Sequence, residues 1–297
     1  MFRLIAASTL AAFLLAACAP EAEDAATDAA ASEAAVTPES AGEAAAPAVP
    51  EGFQLSTTLE SENYTATAEI DPDILTFDPP LAWRLWTAAR DQIDEFAASA
   101  DADRKSADED AAVTGEQPWF MGYTLDITHK VTGVFDDVIS VSDYVGTFTG
   151  GAHPNYFLGG GIYRRGESAA LPLSAFIADK AAFHELAVKA LVAEKLERGH
   201  AAEDAAEVEA SLRETLAPSP EIPDIYEGRF VFEPSTETGK VGGISLLFSP
   251  YDIGAYAEGS FYATLPAADL APILTDDWRG RFGGEPVVEE DDPGSDD

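Results

Sequence analysis

Thr147-Phe148-Thr149-Gly150-Gly151-Ala152-His153-Pro154-Asn155-Tyr156-Phe157 reads as a tight surface loop between two strands. Gly150 and Gly151 permit positive φ or a close backbone approach, while Pro154 fixes its own φ and drives His153 out of the helical region. On either side, Val141, Val145, Thr147 and Phe148, then Tyr156 and Phe157, are strand-type residues. The expectation is two strands joined by a glycine-rich connection with His153 at its tip.

On its N-terminal side, 119–131 and 134–147 read as two long strands with a turn at Thr132-Gly133, leading into this loop. Ahead of them lies a charged stretch, 101–116, expected as a loop. Before that, Leu81, Leu85, Ala88, Ala89, Ile93 and Phe96 recur at helical spacing behind Pro79-Pro80, so a helix starts there and carries Trp83 or Trp86 inward. Alternation of Leu55, Thr57, Leu59 and of Tyr64, Ala66, Ala68, Ile70 predicts half-buried strands ending at Asp71-Pro72-Asp73. On the far side of the loop, Gly159-Gly160-Gly161 reads as an interruption before Ile162. Two helices are expected over 181–198 and 201–216, stopped by Pro218, Pro220 and Pro223. Strands return at 226–232, 241–248 and 260–265. Strands on both sides of a helical middle, without regular βαβ alternation, argue for an α+β fold of antiparallel sheets with packed helices in two abutting halves.

The run Gly150-Gly151-Ala152-His153-Pro154-Asn155 resembles the signature of the secreted RsiV-like domain, which is usually preceded by a PdaC-like domain. Phe248-Ser249-Pro250-Tyr251-Asp252-Ile253-Gly254-Ala255-Tyr256-Ala257-Glu258-Gly259 resembles the same family's tyrosine-rich segment. The resemblance covers roughly residues 53–274 and implies a strand at 261–265 and a short helix at 267–274. It divides the chain into a PdaC-like half, 52–166, and an RsiV-like half, 167–284.

The N-terminus speaks to location. Met1-Phe2-Arg3 is a positive start, 4–15 is apolar, and Leu15-Ala16-Ala17-Cys18 resembles the lipobox of a bacterial lipoprotein signal peptide, 1–18. The apolar run falls short of the roughly 20 residues a spanning helix needs. Cys18, the single cysteine, is then the lipidation site, and its acyl chains anchor the body on a membrane. Ala19 in the following position favours the periplasmic side of a Gram-negative outer membrane or the cell surface. With Cys18 modified, no thiol remains for a disulfide, a thiolate nucleophile or a zinc site. Residues 19–51 are alanine, proline and acid with almost no large apolar group, which makes them a disordered tether; 285–297 read as a disordered acidic tail.

Net charge is −37, and the stretch 52–284 alone carries 39 acidic against 16 basic residues. Phosphate backbones are repelled by such a surface, so nucleic acid is excluded as a partner. A cationic partner is attracted and its association accelerated.

Catalytic and metal motifs are sparse. His129, His153, His184 and His200 show no metal-binding spacing. Thr76-Phe77-Asp78-Pro79 partly matches the metal-binding aspartate segment of polysaccharide deacetylases, but Pro79 replaces the second aspartate and no H-x-x-x-H follows. The acidic run from Asp101 fails as a calcium loop, with Ser106 in the glycine position and Ala112 in the glutamate position. No cofactor motif is present. His153, with Ser142, Asp143, Thr147 and Thr149 near in sequence, could serve as a general base in an esterase-like envelope hydrolase. No G-x-S-x-G elbow accompanies it, and a histidine bonded to its own loop is the more frequent case. Tyr251 and Tyr256 suit either core packing or binding, and any exposed part of their segment is the preferred partner surface. The two functional expectations are therefore a non-catalytic envelope binding module using His153, Asn155, Tyr251 and Tyr256, for which the resemblance implies a lysozyme-like hydrolase or peptidoglycan as partner, and a hydrolase using His153. RsiV-type signalling through a cytoplasmic sigma-binding region does not carry over, since neither that region nor a spanning helix is read in the chain.

Overall fold

The computed structural model describes residues 49–50, 52–199, 204–218 and 224–288. The expectations for Cys18 and the signal peptide, for His200, and for nearly all of the tether and most of the acidic tail lie outside the described residues. Two sheets are present. The first has five strands in sequence order: β1 (Ser56–Glu60), β2 (Tyr64–Ile70), β3 (Tyr123–Phe135), β4 (Val138–Phe148) and β5 (Asn155–Arg164). The second has three: β6 (Phe230–Pro234), β7 (Val241–Phe248) and β8 (Phe261–Pro266). All neighbouring pairs are antiparallel except β2 and β3. That parallel pair requires a long connection, and helices α1 (Pro72–Phe77) and α2 (Pro79–Thr114) provide it. The α+β class is as the sequence implies.

Capping explains where the helices begin. The Asp71 carboxylate accepts from the Asp73 amide at 2.9 Å and the Asp78 carboxylate from the Leu81 amide at 3.2 Å, with proline next in line in both helices. Helix α2 does not stop where a loop was expected. It continues through 101–114 because Ala100 and Ala107 lie on one face, fully buried against Phe120 and Tyr123, while the charged residues stay in water. Arg104 pairs with Asp108 and Lys105 with Glu109 one turn apart. The left-handed Gly115, φ 75°, ends the helix. The acidic run is thus the wet side of a helix about 54 Å long.

Two further expectations are corrected. Thr132 and Gly133 form no turn: β3 runs on to Phe135, with a bulge between Val131 and Gly133, and the chain reverses at Asp136 and Asp137. The bulge re-aims Thr132, whose hydroxyl donates to the Phe232 carbonyl at 3.0 Å and lies 2.7 Å from Ser140 Oγ. Ser140 in turn accepts from the Phe232 amide at 2.8 Å, so β3 and β4 are bonded to the second sheet. Nor does Gly159-Gly160-Gly161 interrupt anything, because all three residues lie inside β5. A Cβ on Gly160 would stand 2.6 Å from Val231 Cγ1 and 2.8 Å from the Phe230 carbonyl oxygen. Glycine is there to admit β6, and the Gly160 amide donates to Gly228 at 2.9 Å.

The largest core draws on both halves. Phe135, Val138 and Ile162 join Phe176, Phe183, Phe230, Phe232 and Trp278, with the Phe176 ring edge-on to Trp278 at 4.6 Å. Helices α3 (Lys180–Glu197) and α4 (Ala205–Thr215) pack on this core, followed late in the chain by two short helices, α5 (Ala267–Leu270) and α6 (Asp276–Arg279). A smaller core lies between α1, α2 and the first sheet, with Trp86 half-buried at its edge. At the C-terminal side, Val287 donates its amide to Pro234 at 2.8 Å, so the ordered body extends past Gly284. Among the described residues no helix is long and apolar enough to cross a membrane.

Candidate functional site

The glycine-histidine loop and the tyrosine-rich segment meet at the distal end of β4 and β5. Positive φ at Gly150 (82°) and Gly151 (111°) turns the chain between Phe148 and Asn155. The tyrosine-rich segment leaves β7 and is held by three anchors. First, Asp252 pairs with Arg229 and accepts from the Ser249 amide at 2.7 Å, while the Ser249 hydroxyl accepts from the Leu158 amide on β5 at 2.9 Å. Second, Ile253 is buried in the main core. Third, Glu258 accepts from the Ala255 amide and from Lys195 on α3, both at 2.8 Å. Lys195 and Arg198 both lie over the Phe261 ring, at 4.3 and 4.5 Å, and Arg198 donates to the Glu258 carbonyl at 3.0 Å.

So fixed, Tyr256 reaches the loop. Its hydroxyl donates to the Pro154 carbonyl at 2.6 Å, and its ring stacks on His153 with centroids 3.7 Å apart and 21° between planes. His153 Nδ1 lies 3.0 Å from the same carbonyl, which accepts from it in the tautomer with the proton on Nδ1. Tyr251, 63% exposed and with φ at 73°, stands 5.4 Å from Tyr256. Burial, then the neighbouring Tyr156 and Tyr251, raises the Tyr256 phenol above its ordinary pKa. Asn155 is exposed, at the start of β5 opposite Thr147.

Tyr144 and Tyr156 stack on each other at 6.0 Å and 27°, half-buried against Leu158, Val231 and Leu247, with Tyr156 close enough to Tyr256 to bear on its phenol. Sequence reading missed them. Their one local signal was Gly146, which pairs with Tyr156 across the strands and whose missing Cβ leaves the space in which the Tyr144 ring lies, its hydroxyl 2.7 Å from where that Cβ would be.

Two of the four residues expected near His153 are engaged elsewhere. Asp143 binds His129 Nδ1 at 2.6 Å, and the Ser142 hydroxyl donates to the Lys130 carbonyl at 3.3 Å. His184 lies against the Tyr226 hydroxyl at 2.8 Å. Among the described residues no group of three His, Cys, Asp or Glu side chains could hold a metal ion.

This architecture is similar to that of a DUF3298-family protein from Bacteroides fragilis NCTC 9343, with a TM-score of 0.53 over 77% of this chain and 94% of that one at 17% identity. The two share a fold. A DUF3298 protein from Pseudomonas aeruginosa PAO1 is a weaker likeness, with a TM-score of 0.44 at 18% identity over 78% of this chain and 94% of that one. Neither a protein-family profile nor a curated protein matches the sequence. The Bacteroides fragilis structure accords with the RsiV-like and PdaC-like resemblance at the level of fold.

Proposed function

We propose that the chain is a lipid-anchored binding module of the cell envelope, using the surface built by His153, Asn155, Tyr251 and Tyr256. The convergence of two motifs that are distant in sequence carries this reading: the ring of Tyr256 is stacked on His153, and an exposed tyrosine stands beside the pair. Rigid aromatic side chains with few rotatable bonds lose little entropy on binding. The lipobox-like sequence supports attachment through Cys18 and a position on the periplasmic side of an outer membrane or at the cell surface. A lysozyme-like cationic hydrolase or peptidoglycan is the partner suggested by the resemblance, and the −37 charge favours the former kinetically. The hydrolase alternative through His153 has less support, because Asp143 and Ser142 are bonded elsewhere.

Binding of an animal lysozyme across a salt series tests the reading, with Tyr251→Ala and Tyr256→Ala alongside. Specific recognition survives moderate salt and weakens in both variants. Binding that disappears with salt and ignores both substitutions is generic electrostatics and removes lysozyme as the partner. Membrane fractionation and mass of Cys18→Ser test the anchor separately.

A further inference from the structure

We infer that Tyr144, Tyr156, Tyr256, His153 and Tyr251 form a stacking shelf for an uncharged hexose glycan; the inference rests on the binding-module reading and assigns its surface a ligand class. Three observations carry it. The shelf is built into the backbone. Any side chain at Gly146 would displace the Tyr144 ring, whose Cε1 lies 3.0 Å from the Cβ position, and with it the stack on Tyr156. Tyr251 occupies a left-handed conformation that an aromatic residue adopts only under strain, and its ring is nonetheless turned to solvent instead of the core.

The third observation concerns charge. Asp252 is taken by Arg229 and the Ser249 amide, and Glu258 is held by Lys195 and the Ala255 amide. What the shelf offers is therefore ring faces and polar groups without a free carboxylate, namely the Tyr251 hydroxyl, the His153 ring nitrogens and the Asn155 amide. A cationic protein finds its complementary charge on other parts of this acidic body, and an anionic polymer is repelled by it. An uncharged hexose matches the inventory, because its axial C–H face lies on an aromatic ring while its equatorial hydroxyls reach the polar rim.

The test is calorimetric titration of the full-length chain in detergent with two uncharged probes, the N-acetylglucosamine tetramer and cellotetraose. At least one binds, with an affinity unchanged between low and high salt. Tyr251→Ala weakens it by about tenfold or more, Gly146→Ala weakens it as well, and Tyr251→Phe largely retains it; circular dichroism confirms that each variant is folded. Failure of both probes to bind, or binding indifferent to Tyr251→Ala and Gly146→Ala, overturns the glycan assignment. Lysozyme binding separates the two levels of the argument. If lysozyme binds and Tyr251→Ala abolishes it while both glycans fail, the surface remains a binding site and its ligand is a protein. If neither lysozyme nor glycan responds to the substitution, the surface itself is refuted.

Discussion

The ring of His153 lies on the ring of Tyr256 at 3.7 Å, and both residues are hydrogen-bonded to the one carbonyl of Pro154, 102 residues before Tyr256. A stack and a shared acceptor make the loop and the tyrosine-rich segment a single mechanical unit. Tyr256 opens a single 3₁₀ turn, Tyr256–Glu258, while the loop at 149–154 has no regular structure, so the contact restrains the loop against a segment with anchors of its own.

Tyr256→Phe keeps the stack and removes the donor to Pro154. The net cost is about 1 kcal/mol locally, with little change in global stability because the site is peripheral. Amide exchange measured by mass spectrometry accelerates in both 149–155 and 250–259. Acceleration in one segment alone would show that the two are not coupled.

Gly160→Ala tests the contact between the sheets. The new methyl meets Val231 and the Phe230 carbonyl, and backbone cannot give way as a long side chain could. A loss of about 1–3 kcal/mol in urea unfolding is expected from such overpacking. Gly150→Ala, which meets no atom within 4 Å but sits at φ 82°, costs only its backbone strain, about 1 kcal/mol. Equal effects at the two positions would contradict the account of why β5 is glycine-rich.

These glycines also show what the sequence could disclose. Local patterns identified most elements: alternation in β2, the prolines that open α2, and the strands around the His153 loop all lie close to where residue type put them. The misreadings share a cause, since each residue concerned answers to a partner distant in sequence. Gly160 faces β6, Thr132 is aimed at Phe232, and Ala107 rests on Phe120 and Tyr123. At the candidate site, the motifs His153 and Tyr256 were visible but their contact was not. Tyr144 and Tyr156 were missed for the same reason, because the one mark of their stack, Gly146, gains its meaning only once β4 and β5 are paired.

Asp137 joins the halves of the molecule, pairing with Arg164 at 3.2 Å and with Arg281, whose guanidinium lies over Trp278. The Arg281 hydrogen bond, followed by weaker attraction from both guanidinium groups, outweighs desolvation and holds the Asp137 carboxyl below its ordinary pKa. A depressed carboxylate stabilises the fold above its unfolded pKa, and that contribution is lost as pH falls through the folded value. Asp137→Asn therefore costs about 1 kcal/mol near neutrality, a modest figure because the side chain is 39% exposed and screened. Unfolding curves of the two proteins converge as the pH drops below about 4. A gap that persists in acid would mean that Asn disrupts the turn, and that the ion pair contributes little.

Tyr123 gives the opposite dependence. Its ring is buried against Phe120 and Phe96, and its hydroxyl donates to Asp103 at 3.0 Å. Burial first, then the Asp103 hydrogen bond and charge, pushes the phenol up to about 12. An unfolded tyrosine ionises near pH 10. Between these values the unfolded chain has released the proton while the folded chain keeps it, so stability declines as pH rises through that window. Tyr163 and Tyr226, also raised chiefly by burial, add to the decline, so the contribution of Tyr123 has to be taken as a difference. Tyr123→Phe removes it: urea unfolding at pH about 9 and about 11 shows the wild type losing stability relative to the Phe variant across the interval. A constant difference would mean that Tyr123 ionises as readily in the folded chain as in the unfolded one, and that the packing of Phe120 and Phe96 leaves its hydroxyl open to water.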